Sequence, residues 1–547
     1  MLWRNSRGRP VNAYAAFIHP CRPTVAKEPP CGPAWAHELK HDGYRLIQSI
    51  ADRWAGRLSR YGTNRLAAAF ILVAAVLLRL QNLNVSLWHD EVFYSTLFGA
   101  DSLPKLWESA LIEPPAPLYR LVLYGWVTLF GENEIVVRMP SLICGIAAIL
   151  LTYAIAKKYS GTQAALLAAL FLCFSPAHIW YSQEATPYAM TMCFLLAAVL
   201  VWHELKSDIR SGRWYFFYGL FLVCAIFTHY FAAVYLFPLT VLVLDAPSVA
   251  RKRIIAINLF AGALVVGTIT AKSLFGHLAT ANWFLRPFTL FEWWLVFFNW
   301  FLNGNSIWNL SPYRTTLQDL INSPLLIICQ IFFCFILALG LLPRRGQGSH
   351  RQSLELLLFL IVLPVSMLLL TKAGYQKIYV ERYLLIGLPF FAIVLARGAA
   401  EFSNRYMTGI CFAAVVTLGV ISYAMFLSKS DQWTVYKPKS DMLGAAKYLA
   451  EQNISADDAM IMSTKEMDLP FYIDQQAQNH PIVQDHYDAV KVDQEITAGK
   501  VKVIYAVRNR WAMNSQENYK SLQANQRLML TATRSFKGVD VYTFVPR

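Results

Sequence analysis

The chain has 547 residues, of which 56% are hydrophobic and 15% charged, and its mean hydropathy is +0.37. That is too little polar surface for a water-soluble fold of this size, so a lipid solvent is required. The net charge of +15 is uneven, because the first 65 residues hold eleven Lys/Arg against four Asp/Glu; with basic loops between apolar runs, it reads as a positive-inside pattern plus a basic arm, not as nucleic-acid binding.

Residues 1–64 are polar, basic and proline-containing, and lack the apolar core of a signal peptide. Leu66–Leu80 is the first apolar run, and others follow at 117–130, 140–156, 164–180 and 187–203. Trp214–Leu244 is too long for one span of about 20 residues and reads as two, broken around Thr228-His229-Tyr230. Runs at 254–271, 324–342, 354–370, 383–396 and 409–427 bring the expectation to about 12–13 spans. The nine cysteines stop at Cys411, and those from Cys144 onward lie in or beside apolar runs, so they read as core residues without disulfide or metal spacing.

Charge orients the runs. Lys157-Lys158, Lys206–Arg213, Arg251-Lys252-Arg253 and Arg344-Arg345 are expected in the cytoplasm. Tyr181–Pro187, the His229 turn, the 272–323 connection and Lys372–Arg382 then face outward, as does the C-terminal region. One parity conflict results. If Arg53–Arg65 is cytoplasmic, the loop after the first run is outside and an odd number of crossings must separate it from Lys157, yet two apolar runs intervene.

The loop 82–115 and the tryptophan-rich 272–323 connection carry amphipathic pieces suited to the membrane interface. From about Tyr436 the chain turns soluble-like. A helical period in Asp441–Glu451 and strand-like runs at 459–463, 501–507 and 539–545 predict a small α/β domain. The expected fold class is therefore mainly α, a polytopic transmembrane helical protein with a small C-terminal α/β extramembrane domain. Its divisions are 1–64, 65–430 and 431–547.

Ionisable groups beside apolar runs are costly, and their clusters suggest function. The first is Leu87-Trp88-His89-Asp90-Glu91, where adjacent acids suit a general base and a group that orients it. Glu113, held by Pro114-Pro115, is the second. Tyr181-Ser182-Gln183-Glu184-Ala185-Thr186-Pro187-Tyr188 is the third. Arg138 and the Arg382-Tyr383 pair place cations at span ends, where they suit a phosphate.

Together these clusters resemble the dolichyl-phosphate-mannose protein mannosyltransferase and aminoarabinose transferase superfamily of GT-C membrane glycosyltransferases, over residues 66–547. The matching features are Asp90-Glu91 in the first outer loop, PPAPLY at 114–119, and Gly131 with Arg138, Pro140 and Ser141. Ser182–Ala189, Thr228-His229-Tyr230 and Arg382-Tyr383-Leu384-Leu385 complete the set. Thr186 stands where the family pattern carries Arg, which removes a cation.

The resemblance implies the GT-C architecture and transfer of a sugar from a polyprenyl-phosphate donor at the outer face of the cytoplasmic (inner) membrane. The acceptor is a hydroxyl of lipopolysaccharide or lipid A, a glycan or a protein. Inversion is expected, with Asp90 and Glu91 as the catalytic pair. Arg138, Arg382 and Tyr383 are expected at the donor phosphate, and Glu113, Gln183, Glu184, Tyr188 and His229 at acceptor or sugar. No cofactor or metal site is expected. A transporter or flippase of lipid-linked sugars is the alternative, although the acids gather in outer loops and no internal repeat is evident.

A second resemblance covers residues 17–62. Lys40-His41-Asp42-Gly43-Tyr44-Arg45 is similar to the nucleotidyl-transfer motif of ATP-dependent DNA ligases, with Lys40 as its lysine. The chain turns apolar at Leu66 before the phosphate-gripping lysines and metal-binding acid that motif needs, so no ligase activity is expected.

Overall fold

A computed structural model describes residues 64–95, 103–112, 115–207, 212–244, 246–275, 285, 287–301, 318–319, 322–343, 349–401, 405–428, 439–452, 458–463, 468–476, 483–484, 489–510 and 513–547. Lys40 and Glu113, with the ligase-like segment up to residue 62, lie outside the described residues.

Among these, Glu134–Phe174, Tyr188–Lys206, Ser248–Leu274, His350–Lys372 and Glu381–Ala399 are long and apolar enough to cross a membrane. Shorter apolar helices stand with them, including Leu118–Phe130, Gly212–Thr228 and Leu326–Leu341. The protein is a multi-pass membrane protein. Gly161, at φ +79°, breaks Glu134–Phe174 into two helices, a conformation that costs glycine little. It follows Lys157-Lys158, where a reversal is expected. The predicted break after Thr228 is also present, since His229 leaves the helix at φ −155° and a 3-10 turn, Tyr230–Tyr235, follows.

The parity conflict turns on one short helix. Leu118–Phe130 has 13 residues, about 20 Å of helix against a hydrocarbon core of about 30 Å. It folds back beside the start of Glu134–Phe174: the Trp126 indole donates to the Val136 carbonyl at 3.0 Å, and the Tyr119 and Ser141 hydroxyls meet at 2.8 Å.

The C-terminal α/β region has β1 (Ala459–Met462), β2 (Val483–Gln484), β3 (Val503–Asn509), β4 (Leu528–Phe536) and β5 (Val539–Pro546). The sheet order is β2-β1-β3-β5-β4, with β1 parallel to β2 and β3, and β5 antiparallel to both neighbours. The sequence reading missed β2 and β4. β4 is an edge strand whose central residues are all exposed, so it has no buried alternation to betray it. This region packs onto the loop and helices after the first apolar helix: Leu87, Val92, Tyr119 and Val137 share one apolar core with Met442, Leu449, Tyr472 and Val541. The Leu87 N–H donates to the Tyr472 hydroxyl at 2.7 Å, and the Leu443 N–H to Ser86 Oγ at 3.2 Å.

Candidate active site

Helix His89–Ser95 opens with Asp90 and Glu91 in its first turn, where carboxylates face the positive end of the helix dipole. The two acids then diverge. Glu91 is fully buried and Arg138, also fully buried, grips it with Nε to Oε1 and Nη2 to Oε2, both at 2.7 Å. Arg138 Nη1 donates to the carbonyls of Leu83 (2.7 Å) and Val85 (2.6 Å), and Nη2 also donates to that of Ser86 (3.1 Å). All five guanidinium N–H groups are thus engaged within the protein. Arg138 thus fastens the loop before helix His89–Ser95 to Glu134–Phe174.

Glu91 gathers further partners. Its Oε1 accepts from the Ala185 N–H at 3.0 Å, and Oε2 accepts from the Trp88 N–H at 3.3 Å and pairs with Lys439 Nζ at 3.1 Å. Burial alone would raise this carboxyl, but the Arg138 and Lys439 cations hold it well below the ordinary carboxylate range. One anion thereby joins four stretches far apart in sequence. Desolvating such an ion group is costly, and the full set of acceptors around Arg138 offsets that cost. Lys439 escaped the sequence reading. It is one lysine in a polar stretch, and only the fold carries it under the loop, where it also stands 5.1 Å over the Trp180 ring.

Asp90 is placed differently. Its carboxylate lies 3.0 Å from Arg382 Nη1, and both side chains keep solvent access, 22% for Asp90 and 16% for Arg382. Arg382 is the second residue of a 3-10 turn, Glu381–Gly387, that leads into helix Leu388–Ala399. Tyr383 beside it meets the His229 ring edge-on at 4.9 Å, with Tyr188 5.6 Å from His229 and 6.4 Å from Tyr383. Tyr181 extends the aromatic wall, 5.2 Å from Tyr188.

Glu184 occupies the turn before helix Tyr188–Ser207. It is fully buried and, among the described residues, neither carboxyl oxygen has a hydrogen-bond partner. Burial pushes its pKa up to about 8, reinforced by the Glu91 and Asp90 charges and opposed by Lys439 and Arg382. Gln183 faces elsewhere: its amide donates to the carbonyls of Leu78 (3.0 Å) and Gln81 (2.8 Å), capping the first helix, 64–80. Of the sequence-predicted residues, the fold brings Asp90, Glu91, Arg138, Glu184, Arg382, Tyr383, Tyr188 and His229 into one region. Arg138 and Gln183 have their donors committed to the scaffold.

Residues 113–272 match the dolichyl-phosphate-mannose-protein mannosyltransferase family. Among solved structures, ArnT from Cupriavidus metallidurans in the apo state is similar at a TM-score of 0.50 and 12% identity, covering 89% of this chain and 98% of that one. The fold is that of the GT-C membrane glycosyltransferases. The same ArnT bound to undecaprenyl phosphate gives a TM-score of 0.50 and 12% identity, over 88% of this chain and 98% of that one. No curated protein sequence matches the chain. The GT-C resemblance read from Asp90-Glu91, Arg138 and Ser182–Ala189 therefore holds at the level of fold.

Proposed function

We propose that the protein transfers a sugar from a polyprenyl-phosphate donor to a hydroxyl acceptor at the outer face of the cytoplasmic membrane. The observation that carries this reading is the part-exposed Asp90–Arg382 pair, set beside a Glu91–Arg138 pair that is closed to solvent. A substrate entering between Asp90 and Arg382 separates their tasks. The carboxylate takes the proton of the acceptor hydroxyl as its oxygen bonds to the anomeric carbon. The bond from that carbon to the phosphate oxygen breaks on the opposite face, the sugar inverts, and polyprenyl phosphate leaves with its growing charge facing Arg382.

Support for the donor class comes from the mannosyltransferase-family match of residues 113–272 and from the undecaprenyl phosphate held by the similar ArnT. Tyr188, His229 and Tyr383 offer aromatic surface to a sugar, and a protonated Glu184 offers an O–H donor. Glu91, held by Arg138 and Lys439, anchors the helical turn that carries Asp90. The reading assigns Arg382 the charge-stabilising role and requires no metal. Candidate acceptors are lipopolysaccharide or lipid A, a glycan and a protein hydroxyl. Transfer assays on the Asp90→Asn protein test the reading, which is lost if that variant is fully active.

A further inference from the structure

A second polar cluster lies at the other end of the bundle. About 20 helical residues separate Arg138 from Lys158, roughly 30 Å along the axis, and Lys158 borders a cavity of about 360 Å³. Its walls carry Lys158, His203, Lys206, Arg351, Gln352 and Glu355, so three cations face one carboxylate. These come from three helices: the stretch before Gly161, the end of Tyr188–Ser207 and the start of Ser349–Lys372.

The cluster is built rather than splayed. Glu355 is buried and accepts from Lys206 Nζ at 2.6 Å, Arg351 Nε at 3.2 Å and the Tyr159 hydroxyl at 3.0 Å. Arg351 Nη2 is braced by the Leu242 carbonyl at 2.7 Å, Lys206 lies 3.8 Å over the Trp202 ring, and Lys158 pairs with Glu204 at 2.5 Å. His203 Nε2 meets the Tyr159 hydroxyl at 2.9 Å. One carboxylate thus positions two cations at the wall of an open cavity, and a third stands beside them. The cavity is large enough for a small polar group, and basic pockets between helices at a membrane surface suit phosphate-bearing lipid headgroups.

We propose that this cavity binds the phosphate of an anionic phospholipid headgroup, in the leaflet opposite the candidate active site. The full-length protein in neutral detergent would be titrated with phosphatidylglycerol, phosphatidylcholine or inorganic phosphate while its melting temperature is followed. Phosphatidylglycerol should raise that temperature saturably and phosphatidylcholine should not. Gln352→Glu adds an anion to the wall without removing an ion pair, and should move the midpoint roughly tenfold higher. Lys158→Gln should move it in the same direction. An equal response to phosphatidylcholine, or one to phosphatidylglycerol that neither variant alters, would overturn the proposal. A midpoint for inorganic phosphate as low as that for phosphatidylglycerol would overturn the lipid as the source of the anion.

Discussion

Arg138 and Glu91 form a fully buried, two-pronged ion pair, with both contacts at 2.7 Å. Because the guanidinium also holds three loop carbonyls, its loss takes that donor from three acceptors and leaves the buried Glu91 carboxylate with Lys439 as its one ion-pair partner and two backbone N–H donors. Arg138→Met should cost about 3–5 kcal/mol of stability. Thermal unfolding in detergent checks this, and an unchanged melting temperature combined with a raised donor KM would return Arg138 to the phosphate.

Arg382 should behave in the opposite way. Arg382→Gln removes a part-exposed cation facing Asp90, so the melting temperature should move little. Transfer from a polyprenyl-phosphate donor should fall by about 10²–10³-fold, as for loss of one charge-stabilising donor.

Glu184 supplies a pH test. Burial raises its carboxyl from the ordinary 4.5 to about 8. Between those values the folded protein keeps a proton that the unfolded chain has released, so stability falls as pH rises through that window. Glu184→Gln mimics the protonated acid and removes the dependence. Its melting temperature should exceed the parent's at pH 8 and converge with it near pH 4.5; parallel profiles would show that Glu184 ionises normally.

Lys40 is tested separately. After incubation with labelled ATP, the intact protein should carry no covalent AMP, and label on Lys40 would restore the nucleotidyl-transfer role that the motif suggests.

Apolar runs made the five long apolar helices legible, and the break at His229 was visible because Trp214–Leu244 exceeds one bilayer thickness. Leu118–Phe130 was legible as an apolar run, but its packing against the next helix through Trp126 and Tyr119 was not. Asp90 and Glu91 were legible as a pair, but not their division of labour. That depends on Arg138 and Lys439 arriving from 47 and 348 residues away, a long-range arrangement that leaves no local pattern. Lys439 carried no signal at all, and β4 lacked the alternation that marks a half-buried strand.

The central claim rests on Asp90. Asp90→Asn keeps the shape of the side chain and removes its basicity, so the most direct measurement is sugar transfer from a polyprenyl-phosphate donor in reconstituted vesicles, with melting temperature as a control. The predicted result is a fall of about 10²–10⁴-fold at unchanged melting temperature. Full transfer by the variant, or movement of lipid-linked sugar across the bilayer with no transfer by the parent protein, would contradict it.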